Sequence, residues 1–492
     1  MYHNHINRDG YFQDKALKGV SSVTLDSTLN PSFTDNVWAS PIYVENGVGG
    51  NGTYYVATES NNVYAFDETT GAQAWPVKNF GAPAEGGGNN TLFAGAGQCG
   101  NINPLGITGT PAIDLATRIM VFDAVTGTGQ TPNTIKTHTI YGISIDDGST
   151  KWSLDASTLS DSTGLMFSPP PQNERSAVLI VNGVAYVVYG GHVGDCGNYH
   201  GWVVGVPLTG TGVKAWATQE ERAGIWGVGG AASDGTSIYV TTGNGTGVAG
   251  NCGTGVATGP WQDSEALLRL GAGPTFSGAP ADYFALANWF ADDCNDNDLS
   301  GSGPLVIDDP AMTPTTLALG QGKDGFLYLV DRTDLGGISP AKYTAGVGAI
   351  QASTGEISNG SAWATVGGTT YVVLRPNGNN PGFGCASGNG DLVGVKIDPK
   401  AAEKMTVLWC ADSGGSGSPI ITSSDGTNDG LVWTYGAAGD NELHAFDLAT
   451  GTPAFSSAAV GGATVHNFST IAEVKGRIIV QGNGGLYAFD TK

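Results

Sequence analysis

The chain has 492 residues, with 21 Lys and Arg against 44 Asp and Glu, a formal net charge of −23, and 78 Gly with 23 Pro. That charge excludes a nucleic-acid binder, which needs a basic face to displace counterions. No uninterrupted apolar run approaches the ~18 residues of a membrane helix. With 13% charged residues, the composition suits short strands and tight turns rather than helices.

Residues 1–37 carry no repeat and read as a closing segment. From Trp38 onward one pattern recurs. A short apolar alternation reaches Asp, turns through Thr-Gly, and is often followed by Trp. The clearest copy is Val63-Tyr64-Ala65-Phe66-Asp67-Glu68-Thr69-Thr70-Gly71 with Trp75. Ile143–Gly148 with Trp152 is a looser copy, and Val203–Leu208 with Trp216 a weaker one. Leu327–Thr333 and His444–Gly451 follow, and Leu486–Asp490 ends the series. Alternation buries one strand face, Asp and Thr satisfy a hairpin turn through local hydrogen bonds, and Gly takes the positive φ. The Trp is placed to wedge between neighbouring sheets. Each unit opens on a small residue, often followed by Pro: Ser40-Pro41, Thr110-Pro111, Gly303-Pro304, Ser418-Pro419.

Eight units result: Trp38–Trp75, Ile107–Trp152, Ser176–Trp216, Ile225–Leu270, Ser302–Gly337, Ser358–Cys410, Ser416–Phe455 and His466–Asp490. A period of ~40–55 residues with about four strands each is the pattern of an all-β propeller. The expectation is one domain over 1–492, with eight four-stranded blades in 38–490 and a ring closed by the N- and C-terminal segments. Seven blades stay open, because the fourth and sixth units carry long inserts.

Six cysteines, none in a CxxC, exclude zinc-ribbon and c-type haem readings. Their even number in an acidic chain points to disulfides and an extracellular or periplasmic location; buried free thiols are the alternative. No signal peptide is visible at Met1, so a secreted chain would be a mature or trimmed form. The stretch Asp292-Asp293-Cys294-Asn295-Asp296-Asn297-Asp298 reads as an Asp/Asn-rich loop, suited to a structural Ca²⁺ or to solvated turns. His3, His192, His200 and His466 are candidates to converge on the channel and bind a transition metal, or simply to tie blades together. No Gly-x-Ser-x-Gly, P-loop or His-Glu-x-x-His motif occurs.

These repeats resemble the quinoprotein-type propellers, the superfamily of pyrroloquinoline quinone (PQQ) dehydrogenases and their non-enzymatic scaffold relatives, over nearly the whole chain. Tyr2-His3-Asn4…Arg8-Asp9-Gly10, Gly106–Pro111, Tyr199–Trp202, Gly224-Ile225-Trp226 and Thr242–Gly245 also resemble a narrower group of secreted bacterial PQQ-like repeat proteins. The resemblance implies a quinone in the central channel on Ca²⁺ or a lanthanide. Asp296 would be the catalytic base, and Asn244, Asp296 and Asp298 the metal ligands. Lys323, Trp226 and Asn244 would be the cofactor contacts. The pattern is also broken: no Glu stands near Cys196, no adjacent Cys-Cys pair exists, and no Arg lies between Cys99 and Thr110. Against that family pattern, Cys99 would face Cys196 at the channel mouth. Cys252 with Cys294 and Cys385 with Cys410 would complete one of the fifteen pairings that six cysteines allow.

Two functions follow. One is a secreted oxidoreductase acting on an alcohol or sugar through a metal-bound quinone. The other is a non-catalytic scaffold or binding propeller that has lost the cofactor site. A propeller enzyme of another chemistry, such as a polysaccharide lyase or a His-metal oxidase, is a third. The partner is accordingly a small molecule or saccharide, or a protein, and neither nucleic acid nor a membrane span is expected.

Overall fold

The computed structural model describes residues 1–29, 31–85, 99–129, 134–340, 346–377, 390–456 and 464–492. It is an eight-bladed β-propeller, which removes the seven-blade alternative. Blade 1 is the antiparallel sheet Ile42–Val44, Thr53–Ala57, Asn62–Asp67 and Gln73–Asn79, running from the axis outward. Blades 2 to 8 begin at the inner strands Ala112–Asp114, Leu179–Val181, Ala232–Ser233, Leu305–Asp308, Ala362–Val366, Ile420–Ser423 and Ala472–Val474.

The core is divided between the blades. A separate apolar cluster fills each junction from blade 1–blade 2 round to blade 7–blade 8. An eighth, with Tyr54, Val56, Phe66, Ile479 and Leu486, closes blade 8 on blade 1. Both faces of a middle strand are therefore buried, so Thr53–Ala57 and Leu431–Tyr435 are buried at every residue. A strand covered on both sides needs a near-continuous apolar run rather than alternation.

The recurrent turn does what its residues allow. The Asp67 carboxylate accepts from the Thr69 and Thr70 backbone N–H groups and the Thr70 hydroxyl. Gly71 follows at φ +67°. Asp447 repeats this with Ala449, Thr450 and Gly451. The Trp residues wedge between sheets as expected. Indole nitrogens of Trp75, Trp152 and Trp409 donate to the carbonyls of Ile145, Leu208 and Leu448 on the next blade, at 3.2, 2.8 and 2.8 Å. Trp409 lies between Gly394 opposite it and Gly451 of the following blade, where a Cβ would meet the ring at 2.1 and 2.5 Å. The turn glycine thus also makes room for the preceding blade's indole.

The termini close the ring. Val23–Leu25 pairs antiparallel with Gly485–Thr491 as the outer strand of blade 8, with Thr24 opposite Asp490. Tyr11–Gln13 runs parallel to the inner strand of blade 7. Before it, the carbonyls of Ile6, Asn7, Asp9 and Gly10 accept from Ser233, Val306, Trp363 and Ile421, one in each inner strand of blades 4, 5, 6 and 7. The buried Arg8 guanidinium donates to the carbonyls of Tyr2, Ala177, Val178 and Ala231, which ties blades 3 and 4 to the same segment.

Two details depart from the sequence reading. Gly337–Ser339 does not belong to the fifth blade; it returns to pair parallel with Tyr283–Leu286 on blade 4, and Gly348–Gln351 is the outer strand of blade 5. The Asp/Asn-rich stretch is not all loop. Trp289–Asn295 forms a helix because Trp289 and Phe290 bury one side of it, and it ends in a left-handed residue, Asp296, at φ +56°. No helix among the described residues is long and apolar enough to cross a membrane.

Candidate active site at the channel mouth

The segments that enter the inner strands of blades 1, 2, 3, 4, 5, 6 and 8 converge on one pocket of about 280 Å³. They contribute Trp38, Thr108, Arg175, Trp226, Asp296 with Asp298, Ser358 and Phe468 in turn. In these seven blades a residue leading into the innermost strand reaches the pocket, so the ring gathers positions hundreds of residues apart. Val228 and Phe468 of the lining pack on Tyr2, so the N-terminal segment supports the pocket from within.

All five residues of the main sequence-derived set, Trp226, Asn244, Asp296, Asp298 and Lys323, line this pocket. Two inserts position the acidic ones. The hairpin Gly250–Asn251/Val256–Ala257 is joined to the helix Trp289–Asn295 by the disulfide Cys252–Cys294. The helix end then delivers Asp296 and Asp298. The Asp298 carboxylate accepts from the Asn244 backbone N–H at 2.6 Å and pairs with the Lys323 ammonium. The same ammonium lies 2.7 Å from Asp296 and 5.3 Å from the centre of the Trp226 ring. Burial pushes the Asp298 carboxyl up to about 6, with the Lys323 charge opposing it. Burial works against the Lys323 charge as well, but Asp298 and Asp296 outweigh it and hold the ammonium protonated.

A cation that the sequence reading missed is Arg175. Its guanidinium sits 5.1 Å from the Trp226 ring centre and 4.7 Å from that of Phe468, and it makes no hydrogen bond or ion pair among the described residues. Burial alone lowers it to about 10, which leaves it fully charged. The resemblance implies an Arg between Cys99 and Thr110, where this chain has none. The usable signal was a basic residue immediately before the third unit, in a chain with few bases.

The four histidines are placed apart. His192 lines the pocket, donates through Nε2 to the Pro170 carbonyl at 3.2 Å, and is lowered to about 4 by burial and by His138. His466 stacks on Trp38 with ring centres 4.1 Å apart. His3 is buried in the N-terminal segment and lowered to about 3 by burial and Arg8. His200 bonds the Thr218 carbonyl through Nδ1 at 2.8 Å, outside the lining. Among the described residues the one cluster of three metal-capable side chains is Asp440, Glu442 and His444, away from the pocket and carrying no sequence expectation.

The disulfide Cys99–Cys196 fastens two rim loops, and Gly100 donates to the Val193 carbonyl beside it at 3.0 Å. The expected partner of Cys410, Cys385, lies outside the described residues.

Behind the rim, Glu59 accepts from the Gly106 N–H at 2.7 Å and from the Thr108 hydroxyl at 3.1 Å. Burial raises it from 4.5 to about 8. Between those values the native state holds a proton that the unfolded chain has lost. Stability therefore falls as pH rises from about 4.5 to 8, by up to ~1.4 kcal/mol per pH unit for one proton. Glu59→Gln is expected to remove that slope. Urea midpoints at pH 5, 6.5 and 8 check it: the variant should gain on the wild type toward pH 8, and parallel curves would refute the assignment.

No protein-family model and no curated protein sequence matches the chain. Solved structures do. Quinohemoprotein alcohol dehydrogenase from Comamonas testosteroni aligns at TM-score 0.64 and 14% identity, over 99% of this chain and 79% of that one. A europium-containing methanol dehydrogenase aligns at 0.63 and 14%, over 99% and 90%. BamB from Moraxella catarrhalis aligns at 0.51 and 14%, over 95% and 100%. At such identity the likeness shows the fold alone: this chain is a β-propeller of the kind seen in these structures.

Proposed function

We propose that the channel-mouth pocket is the cofactor site of an exported quinoprotein-type oxidoreductase acting on an alcohol or a sugar. The observation that carries this reading is the Arg175 guanidinium, unpaired among the described residues and held between Trp226 and Phe468. PQQ is a flat tricarboxylate, and such a molecule needs a cation for a carboxylate and an aromatic face for its plane. Arg175, Lys323, Trp226 and Phe468 supply both, so these residues fit the organic group and would hold it. When bound, the quinone supplies the two-electron acceptor that side chains cannot. Asp296 offers a carboxylate at the pocket mouth, beside Lys323, to take the proton of a substrate hydroxyl. The disulfides Cys99–Cys196 and Cys252–Cys294 support an extracellular or periplasmic location.

The metal half of the expected site does not fit as well. Both carboxylates, Asp296 and Asp298, already have Lys323 as counter-ion, and among the described residues no three acidic, His or Cys ligand atoms of this pocket lie within 4.8 Å of one another. That arrangement also favours a second reading, a binding propeller without turnover.

Titration with PQQ, followed by absorbance and calorimetry, separates the readings. One-site binding that is lost in Trp226→Leu is expected, together with dye-linked alcohol or sugar oxidation abolished in Asp296→Ala. Binding without turnover selects the second reading, and no binding at all removes the quinone from the pocket.

A further inference from the structure

The charge arrangement around Lys323 carries an inference that does not depend on which organic ligand binds. We propose that the Lys323 ammonium is the resident counter-cation of this pocket and stands in for a metal ion, so that the pocket takes no divalent or trivalent cation.

The position of Lys323 is built into the backbone. Its N–H donates to the Asp298 carbonyl at 2.9 Å. Gly322 before it is pressed on the same carbonyl: a Cβ there would meet the Asp298 oxygen at 2.3 Å and the Leu299 Cα at 2.8 Å. The hairpin that carries the lysine is therefore locked to the segment that carries the two carboxylates. Its side chain is 13% exposed and that of Asp298 3% exposed. An ammonium has three N–H groups and no acceptor. Two are used on Asp296 and Asp298, and the charge faces Trp226.

An ion of the Ca²⁺ class takes six to eight oxygens at ~2.3–2.6 Å. Here the Asp298 oxygens are taken by the Asn244 N–H and by Lys323, and the Asp296 oxygen nearest the site is taken by Lys323. A cation on the Asp298 oxygens would sit against a fixed positive charge in a poorly hydrated place, where like charges repel strongly, and Asp296, 63% exposed, adds only one further oxygen not held by Lys323. The Asn244 amide alone cannot hold an ion of this kind. Ammonium and metal are thus alternatives for one place, and the fold has placed the ammonium.

Terbium(III) is the probe, because a bound Tb³⁺ close to Trp226 is sensitised by its indole. The signal counted is the emission that disappears in Trp226→Phe, which separates this pocket from other acids such as Asp440 and Glu442. Wild type and Lys323→Arg are expected to show no such emission. Lys323→Ala and Lys323→Gln, with folding checked by circular dichroism, should gain it with at least 10-fold higher Tb³⁺ affinity, and Asp298→Asn should abolish the gain. Trp226-dependent Tb³⁺ binding by the wild type, lost in Asp298→Asn, overturns the proposal. So does a folded Lys323→Ala or Lys323→Gln that acquires no site, since the carboxylates would then not be a cation place at all. Failure of PQQ to bind leaves every one of these outcomes readable.

Discussion

Arg175→Ala is expected to weaken binding of PQQ, or of another flat carboxylate, by roughly 10- to 100-fold. That corresponds to the ~1.5–3 kcal/mol of a hydrogen bond to a charged group. The same change should leave thermal stability unaltered or slightly raised. The guanidinium has no ion partner among the described residues, so removing it exposes no orphan charge and relieves the cost of holding one between two rings. Most core substitutions lower affinity and stability together, and this separation distinguishes a ligand anchor from a packing residue. Arg175→Lys should fall between, because an ammonium keeps the charge but loses the planar fork and the stacking. Calorimetric titration beside a thermal melt checks all three proteins. Equal affinity in Arg175→Ala would remove Arg175 from the binding machinery and with it the main support for a carboxylate ligand.

The second large effect is expected from the rim disulfide. Cys99 and Cys196 are 97 residues apart in sequence. Loop-closure entropy for a cross-link of that span is ~4–5 kcal/mol, and native disulfides deliver ~2–5 kcal/mol when removed. Cys99→Ser with Cys196→Ser should therefore lower the unfolding free energy by about 2–5 kcal/mol. It should also weaken ligand binding, because the loop bearing Val193–Asp195 and the loop bearing Asn101 and Ile102 both line the pocket. Cys252 and Cys294 are 42 apart. The logarithmic dependence on loop length makes the second bridge weaker by on the order of 0.7 kcal/mol. Urea unfolding of the two double variants, with PQQ binding measured on each, tests the order. A larger loss from the shorter loop would mean that local packing of the helix, and not chain entropy, sets the value.

The mutations also show where sequence reading reached and where it stopped. Asp67–Gly71 and Asp447–Gly451 were legible as turns because every interaction in them is local. An Asp carboxylate bonds residues two and three positions on, and Gly takes the positive φ. Trp75, Trp152 and Trp409 were legible as wedges because a fixed place after each turn puts an indole at a blade edge. The fifth unit was ended too early, at Gly337, because Gly337–Ser339 finds its partner on blade 4 and the outer strand of blade 5 comes later, at Gly348–Gln351; nothing local distinguishes one sheet edge from another. Asp292–Asn295, the second half of the helix, was read as loop because Asp and Asn favour turns, while burial of Trp289 and Phe290 overrides that preference.

The pocket divides in the same way. Trp226, Asn244, Asp296, Asp298 and Lys323 were singled out through family resemblance, and the fold brings all five to one cavity. Arg175 and Phe468 lie 293 positions apart on blades 3 and 8, and their stacking is a product of ring closure alone.

By itself the sequence determined the repeat, the all-β propeller class and the closing role of the N-terminal segment, because turn chemistry and strand burial act over a few residues; the structure settled eight blades over seven. Only the tertiary structure decided that Lys323 neutralises both carboxylates and that Arg175 lies between two rings with no ion partner among the described residues. Such pairings depend on distances across the channel, and those exist only once eight separate interfaces have packed and fixed the ring.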